Sequence, residues 1–259
     1  MQEVRTLLSD QDWEVLKKIT SWRSVHLSTR GRPPKDLRKS LEGIFWILRT
    51  GSPWRDLPRA FGSWQSVYDR FRCWSHSGLW SHLLAHFENQ WADKEYLMVD
   101  SSSIRVHQDA ARTHRGREVD GMGSSRGGLT TKVHALCDAL GYPLAFILTC
   151  GQRGDATQGV GLLQKAMSPG CACLLDGGYD SDAIREYVLQ EGGTAVIPPR
   201  ITRTSDIDFD KHTYKERHKV ENLFQKLKRF RRVATRYEKH IVLFAAMISI
   251  AAILIWIQQ

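Results

Sequence analysis

Two apolar runs, each closed by an aspartate, restrict what this chain of 259 residues can fold into. Glu95-Tyr-Leu-Met-Val-Asp100 and Cys171-Ala-Cys-Leu-Leu-Asp176 are continuous rather than alternating, the pattern of strands buried on both faces. Ser101-Ser-Ser103 and Gly177-Gly178 follow them and supply strand-ending punctuation. The two runs therefore predict short central strands in a mixed α/β fold, each with a carboxylate at its carboxyl end. An aspartate in that position is commonly a cap or turn residue, so neither acid argues for chemistry alone.

A third acid comes from a helix. At about 100° per residue, Tyr214, Arg217, Glu221 and Lys228 fall within an arc of ~60°. Val220, Leu223, Phe224, Leu227 and Phe230 take the adjacent face, so the segment docks on a core and presents one carboxylate among cations. By itself this is an ordinary amphipathic helix with a basic face. Together with two strand-end acids it offers oxygens enough for two Mg²⁺ ions, the arrangement that stabilises attacking and leaving oxygens in phosphoryl transfer.

Charge points the same way. The formal net charge is +9, and residues 200–240 hold 13 Lys plus Arg against 6 Asp plus Glu. A polyanion partner follows, although ribosomal and other RNA-binding proteins share such a balance. The five cysteines include no Cys-x2-Cys pair, so Cys171 and Cys173 read as core thiols of a protein from a reducing compartment. Met-Gln-Glu-Val-Arg at the start is not a secretory leader, and a cytoplasmic location is expected.

Tyr214, Arg217, Glu221 and Lys228 match the Tyr-x2-Arg-x3-Glu-x6-Lys signature, and the chain resembles the bacterial DDE transposases of insertion sequence family five. Val99-Asp-Ser-Ser-Ser-Ile-Arg-Val-His-Gln108 and Leu174-Leu-Asp-Gly-Gly-Tyr-Asp-Ser181 resemble that family's first and second acid blocks. Gly177 departs from the Lys or Arg that relatives often carry there. The resemblance implies an α/β, ribonuclease H-like catalytic domain over residues 91–259. An N-terminal, mainly helical DNA-binding region would occupy residues 1–90. It implies Asp100, Asp176 and Glu221 as catalytic and metal-binding acids, with two Mg²⁺ ions and Mn²⁺ as substitute. Tyr214, Arg217, Lys228, Arg229, Arg231 and Arg232 would contact DNA. The implied partners are the element's terminal inverted repeats and target DNA, bound by a homodimer or higher oligomer associated with the bacterial nucleoid, with no membrane.

Seven of the tryptophans stand before residue 90. Leu41, Ile44, Phe45 and Leu48 mark a helix over 37–48, Gly51-Ser-Pro53 breaks it, and Ser63 is placed to cap a second helix. With Arg55, Arg59, Arg70 and Arg72 this is compatible with a helix-turn-helix, and equally with a helical cap held by its aromatics. Arg30-Gly-Arg-Pro33 reads as a minor-groove hook or as a basic linker. Residues 109–128 are expected to form a mobile loop, followed by paired strands over 129–137 and 142–149 about a turn at Asp138. Asp180 or Ser181 should cap a helix ending near Leu189, and residues 194–197 offer a fifth strand. Asp155 reads as a loop residue, and His107, His134 and His218 as groups supporting the acids or touching phosphate. The uncharged run Ile241–Ile257 predicts a buried closing helix, with a membrane anchor as the rival. Two other functions remain open to such a chain: a nuclease of the same fold, and a DNA-binding protein from an inactive element.

Overall fold

The computed structural model describes residues 7–19, 36–111, 114–204 and 207–258. Helices α1 (Asp10–Ile19), α2 (Leu37–Thr50), α3 (Trp64–His76) and α4 (Leu79–Trp91) come first. Strand β1 (Tyr96–Val106), the short helix α5 (His114–Arg117) and strands β2 (Gly123–Ser125), β3 (Gly128–Cys137) and β4 (Pro143–Cys150) follow. Then α6 (Ala156–Leu163), β5 (Ala172–Leu175), α7 (Asp182–Gln190) and β6 (Thr194–Val196) alternate. Helices α8 (Lys211–Tyr214), α9 (His218–Lys228) and α10 (Arg231–Ala234), the two-residue strand β7 (Thr235–Arg236) and helix α11 (Ile241–Ile257) complete the chain.

β1 is the centre of the sheet. It pairs antiparallel with β3 along its length and parallel with β5 over Tyr96–Val99 only. β4 and β2 follow one another along the far edge of β3, and β6 extends the sheet parallel to β5. The five main strands thus lie in the order β4, β3, β1, β5, β6. Three antiparallel strands followed by two parallel ones are the expected ribonuclease H-like order. β1 is longer than its apolar run predicted: Ser101-Ser-Ser103 continue the strand because β3 stays paired out to Arg105. What ends at Val99 is the pairing with β5, which opens a crevice outside the carboxyl end of the parallel part, directly at Asp100.

α2 follows its sequence closely. Asp36 caps it by accepting from the Arg38 and Lys39 amides, Gly51 ends it at φ 73°, and Leu41, Ile44, Phe45 and Leu48 are buried. Ser63 stands at the N-cap of α3, but its hydroxyl donates to Gln65 rather than accepting from the helix. Of the four N-terminal arginines, Arg55, Arg59 and Arg72 are exposed, whereas Arg70 turns inward to donate to Ser40 Oγ at 2.8 Å. The segment Arg30–Pro33 lies outside the described residues. The stretch 109–128, expected as a loop, carries α5 and β2, the latter paired on β3.

α11 is apolar all round because every residue but the exposed Val242 is wholly or partly covered. It packs on α4, α3, β4 and α9, and the Trp256 indole N–H donates to Pro143 O at 2.8 Å. Among the described residues no helix is long and apolar enough to cross a membrane. One hydrophobic core joins the N-terminal helices, both faces of the sheet and α11.

Candidate active site

Asp100 lies on β1 at the point where β5 leaves it, Asp176 directly follows β5, and Glu221 stands on the first turn of α9, which packs across β1 and β3. Arg217, just before α9, draws two of these acids together. Its Nη2 donates to Glu221 Oε1 at 2.6 Å, and its Nη1 is 3.3 Å from Asp100 Oδ2. Asp176 Oδ1 is buried without a hydrogen-bond partner. Burial pushes the Asp100 carboxyl above its ordinary value; the Ser101 amide and Arg217 oppose this, and the negative charge of Asp176 adds to it. Burial likewise opposes the Arg217 charge, but Asp100, Tyr214, Glu221 and Asp176 together hold that guanidinium above its usual value.

Tyr214 ends α8, and residues 215–217 form a tighter turn before α9, so the predicted single helix is stepped at Arg217. The Tyr214 ring lies beneath the Arg217 guanidinium, 5.8 Å from it, and meets Phe209 edge-on. Lys228, about two turns beyond Glu221 on the same face of α9, donates to Ser102 Oγ at 2.8 Å across the mouth of the crevice. Arg229 and Arg231 are exposed. Arg232 is not. It is buried, pairs with Glu238 at 3.1 Å, donates to Ser52 O at 2.7 Å and stacks over Tyr237, so the expected DNA contact gives way to an internal clamp.

The remaining expectations divide similarly. Asp138 serves its turn, accepting from the amides of Leu140, Tyr142 and Asp93. Ser181 caps α7. Asp180 instead turns inward to Arg185 and Arg203 and accepts from the Arg200 amide, tying the segment after β6 to the Asp176 turn. His107 stacks on Tyr237, and His218 bonds to Lys215 O. His134 is fully buried between Tyr179 OH, 3.1 Å away, and Thr149 Oγ1, 3.0 Å away. Asp155 is more than a loop residue: it pairs with Lys132 at 3.1 Å and accepts from Ser101 Oγ at 2.9 Å. Neither the buried histidine nor this fourth acid carries a local sequence signal, because their partners are far away in the chain.

Among the described residues no three His, Cys, Asp or Glu side chains are drawn close enough to hold a metal ion. The donor set nevertheless fits hard divalent cations. Its oxygens are carboxylate, one is buried and unpartnered, and a guanidinium supplies the positive charge between Asp100 and Glu221.

A family model described as "Transposase DDE domain" matches residues 91–256. The chain belongs to the DDE transposase family. Membership carries a dependence on divalent metal. A second model, "Putative transposase of IS4/5 family", matches residues 8–84 of this transposase. The "Putative transposase for insertion sequence element IS6501" of Brucella ovis is 39% identical over 131 residues, covering 50% of this chain and 100% of the relative. A 16.2 kDa protein of insertion element IS402 from Burkholderia cepacia is 40% identical over 110 residues, 39% of this chain and 75% of the relative. The piggyBac transposase, solved in a synaptic complex with hairpin DNA, shares the fold at a TM-score of 0.54 and 12% identity. That match covers 93% of this chain and 69% of that one.

Proposed function

We propose that this transposase binds the ends of its mobile element as DNA, cuts them by phosphodiester hydrolysis and joins the 3′ ends to a target. Asp100, Asp176 and Glu221 would hold two Mg²⁺ ions, with Mn²⁺ as substitute. The observation that supports this most is the gathering of Asp100 and Glu221 on one guanidinium beside the unpartnered oxygen of Asp176. When bound there, the ions supply electrostatic stabilisation of the attacking and leaving oxygens.

The chain's own residues do the rest. Asp100 and Asp176 are fixed by the end of the parallel pairing, so their carboxylates are preorganised rather than carried on a loop. Arg217 neutralises Asp100 and Glu221, and its planar fork would suit a phosphate of the element end. Tyr214 braces that guanidinium from below. Lys228, Arg229 and Arg231 line the exposed flank of α9 and the turn after it, where a DNA backbone would run. The region 1–90 would grip DNA through its exposed arginines. Joining two ends to one target calls for a homodimer or larger assembly.

Asp100→Asn, Asp176→Asn and Glu221→Gln each remove a charge with little change in shape. Each should abolish cleavage and joining of an element-end duplex in Mg²⁺ or Mn²⁺ while retaining folding and most DNA binding. EDTA should have the same effect on the wild type. A variant that cleaves at near wild-type rate removes its residue from the trio. Cleavage without joined products would favour a nuclease.

A further inference from the structure

Asp155 is linked to the first strand-borne acid through Ser101 and lies near the second across Gly178. Its Oδ1 accepts from Ser101 Oγ at 2.9 Å, and the Ser101 amide in turn donates to Asp100 Oδ1 at 2.8 Å. Asp155 therefore holds the residue that orients the first acid. Its Oδ2 lies near the turn that carries the second. A Cβ built on Gly178 would lie 3.5 Å from Asp155 Oδ2 and 2.9 Å from Asp176 Oδ1. That Asp176 oxygen is the buried, unpartnered one. Two carboxylates that flank one glycine, one of them with a buried unpartnered oxygen, favour a cation in their neighbourhood.

Two candidates face Asp155. His134 Nδ1 is 3.7 Å from Asp155 Oδ1, but burial holds that imidazole down to about 4, so it is neutral near pH 7. Lys132 is the working counter-charge. Its ammonium donates to Asp155 Oδ1 and is steadied from behind by Arg153 O at 2.8 Å. One oxygen of Asp155 is thus committed to Ser101 and Lys132, while the other lies on the Gly178 side.

We infer that Asp155 is a positioning residue of the acid site. It fixes Ser101 against Asp100, balances Lys132, and adds its second oxygen to the negative wall that draws a divalent cation to Asp176. The inference rests on the reading of Asp176 as a cation ligand.

The test is Mn²⁺ binding to the full chain without DNA, followed by electron paramagnetic resonance or calorimetry, with thermal melting to monitor folding. Asp155→Asn keeps an acceptor for Ser101 but loses the charge, and should raise the Kd for Mn²⁺ by roughly 10–100-fold, as loss of outer partners of metal ligands does. Lys132→Gln leaves Asp155 unbalanced and should tighten Mn²⁺ binding. Opposite signs distinguish an electrostatic role from a scaffold, since breaking a purely structural pair weakens binding from either side. Unchanged binding in Asp155→Asn, or unchanged or weaker binding in Lys132→Gln, overturns the inference. Should Asp155→Asn fail to fold, the sign of the Lys132→Gln effect decides alone. If Asp176→Asn bound Mn²⁺ as tightly as the wild type, the metal reading itself would fall, a result distinct from an unaffected Asp155→Asn.

Discussion

Acid should unfold this protein partly through one residue. His134 is fully buried, its two ring nitrogens are taken by Tyr179 and Thr149, and burial lowers its pKa from 6.5 to about 4. Between those values the unfolded chain binds a proton at this position and the folded chain does not. Stability from His134 is therefore fully present above pH 6.5 and lost as the pH falls towards 4. A shift of this size corresponds to about 2 kcal/mol lost between pH 7 and pH 5, and roughly 3 kcal/mol by pH 4. The assay is urea denaturation of wild type and His134→Gln at a series of pH values. Other groups titrate in the same window, so only the difference between the two proteins is read. His134→Gln should be less stable at pH 7, and the gap should close by about 2 kcal/mol on going to pH 5. A gap constant with pH would show that His134 charges without penalty, and the account of the buried network beneath the acids would be wrong.

Two further outcomes separate neighbouring cations on the segment after Glu221. Lys228→Ala should weaken binding of an element end and lower its salt dependence by roughly one charge, measured by fluorescence anisotropy over a salt series; an unchanged slope would place Lys228 off the DNA path. Arg232→Ala should leave that slope as it is and instead cost roughly 3–5 kcal/mol in chemical denaturation, because the buried Glu238 loses its counter-charge. A fully stable Arg232→Ala variant would contradict the clamp.

Much of the architecture was legible locally. Apolar runs at 95–100 and 171–176, the periodic face of α9 and the uniformly apolar α11 encode their surroundings residue by residue, because burial on one face or on all faces is written into a short window. The same windows identify Asp100, Asp176 and Glu221 as candidates. Their limits were less visible: the serines after Asp100 continue β1 because β3, far along the chain, supplies hydrogen-bond partners as far as Arg105.

What the tertiary structure alone decided is how polar side chains are paired. Ser101 and Asp155 are 54 positions apart, Lys228 and Ser102 are 126 apart, and Arg232 reaches Ser52 across 180. No periodicity reports such pairs, since a lysine or aspartate has the same local pattern whether it faces water or a distant partner. Hence Arg232 looks like its exposed neighbour Arg231 in sequence but is buried, and Asp155 resembles any loop aspartate yet is tied to Ser101 and Lys132. The presence of a strand or helix is set largely by its own residues and their spacing, and its limits by its partners. An active site is dictated by which ends of those elements the sheet brings to one crevice, and here that is set by where β5 stops pairing with β1.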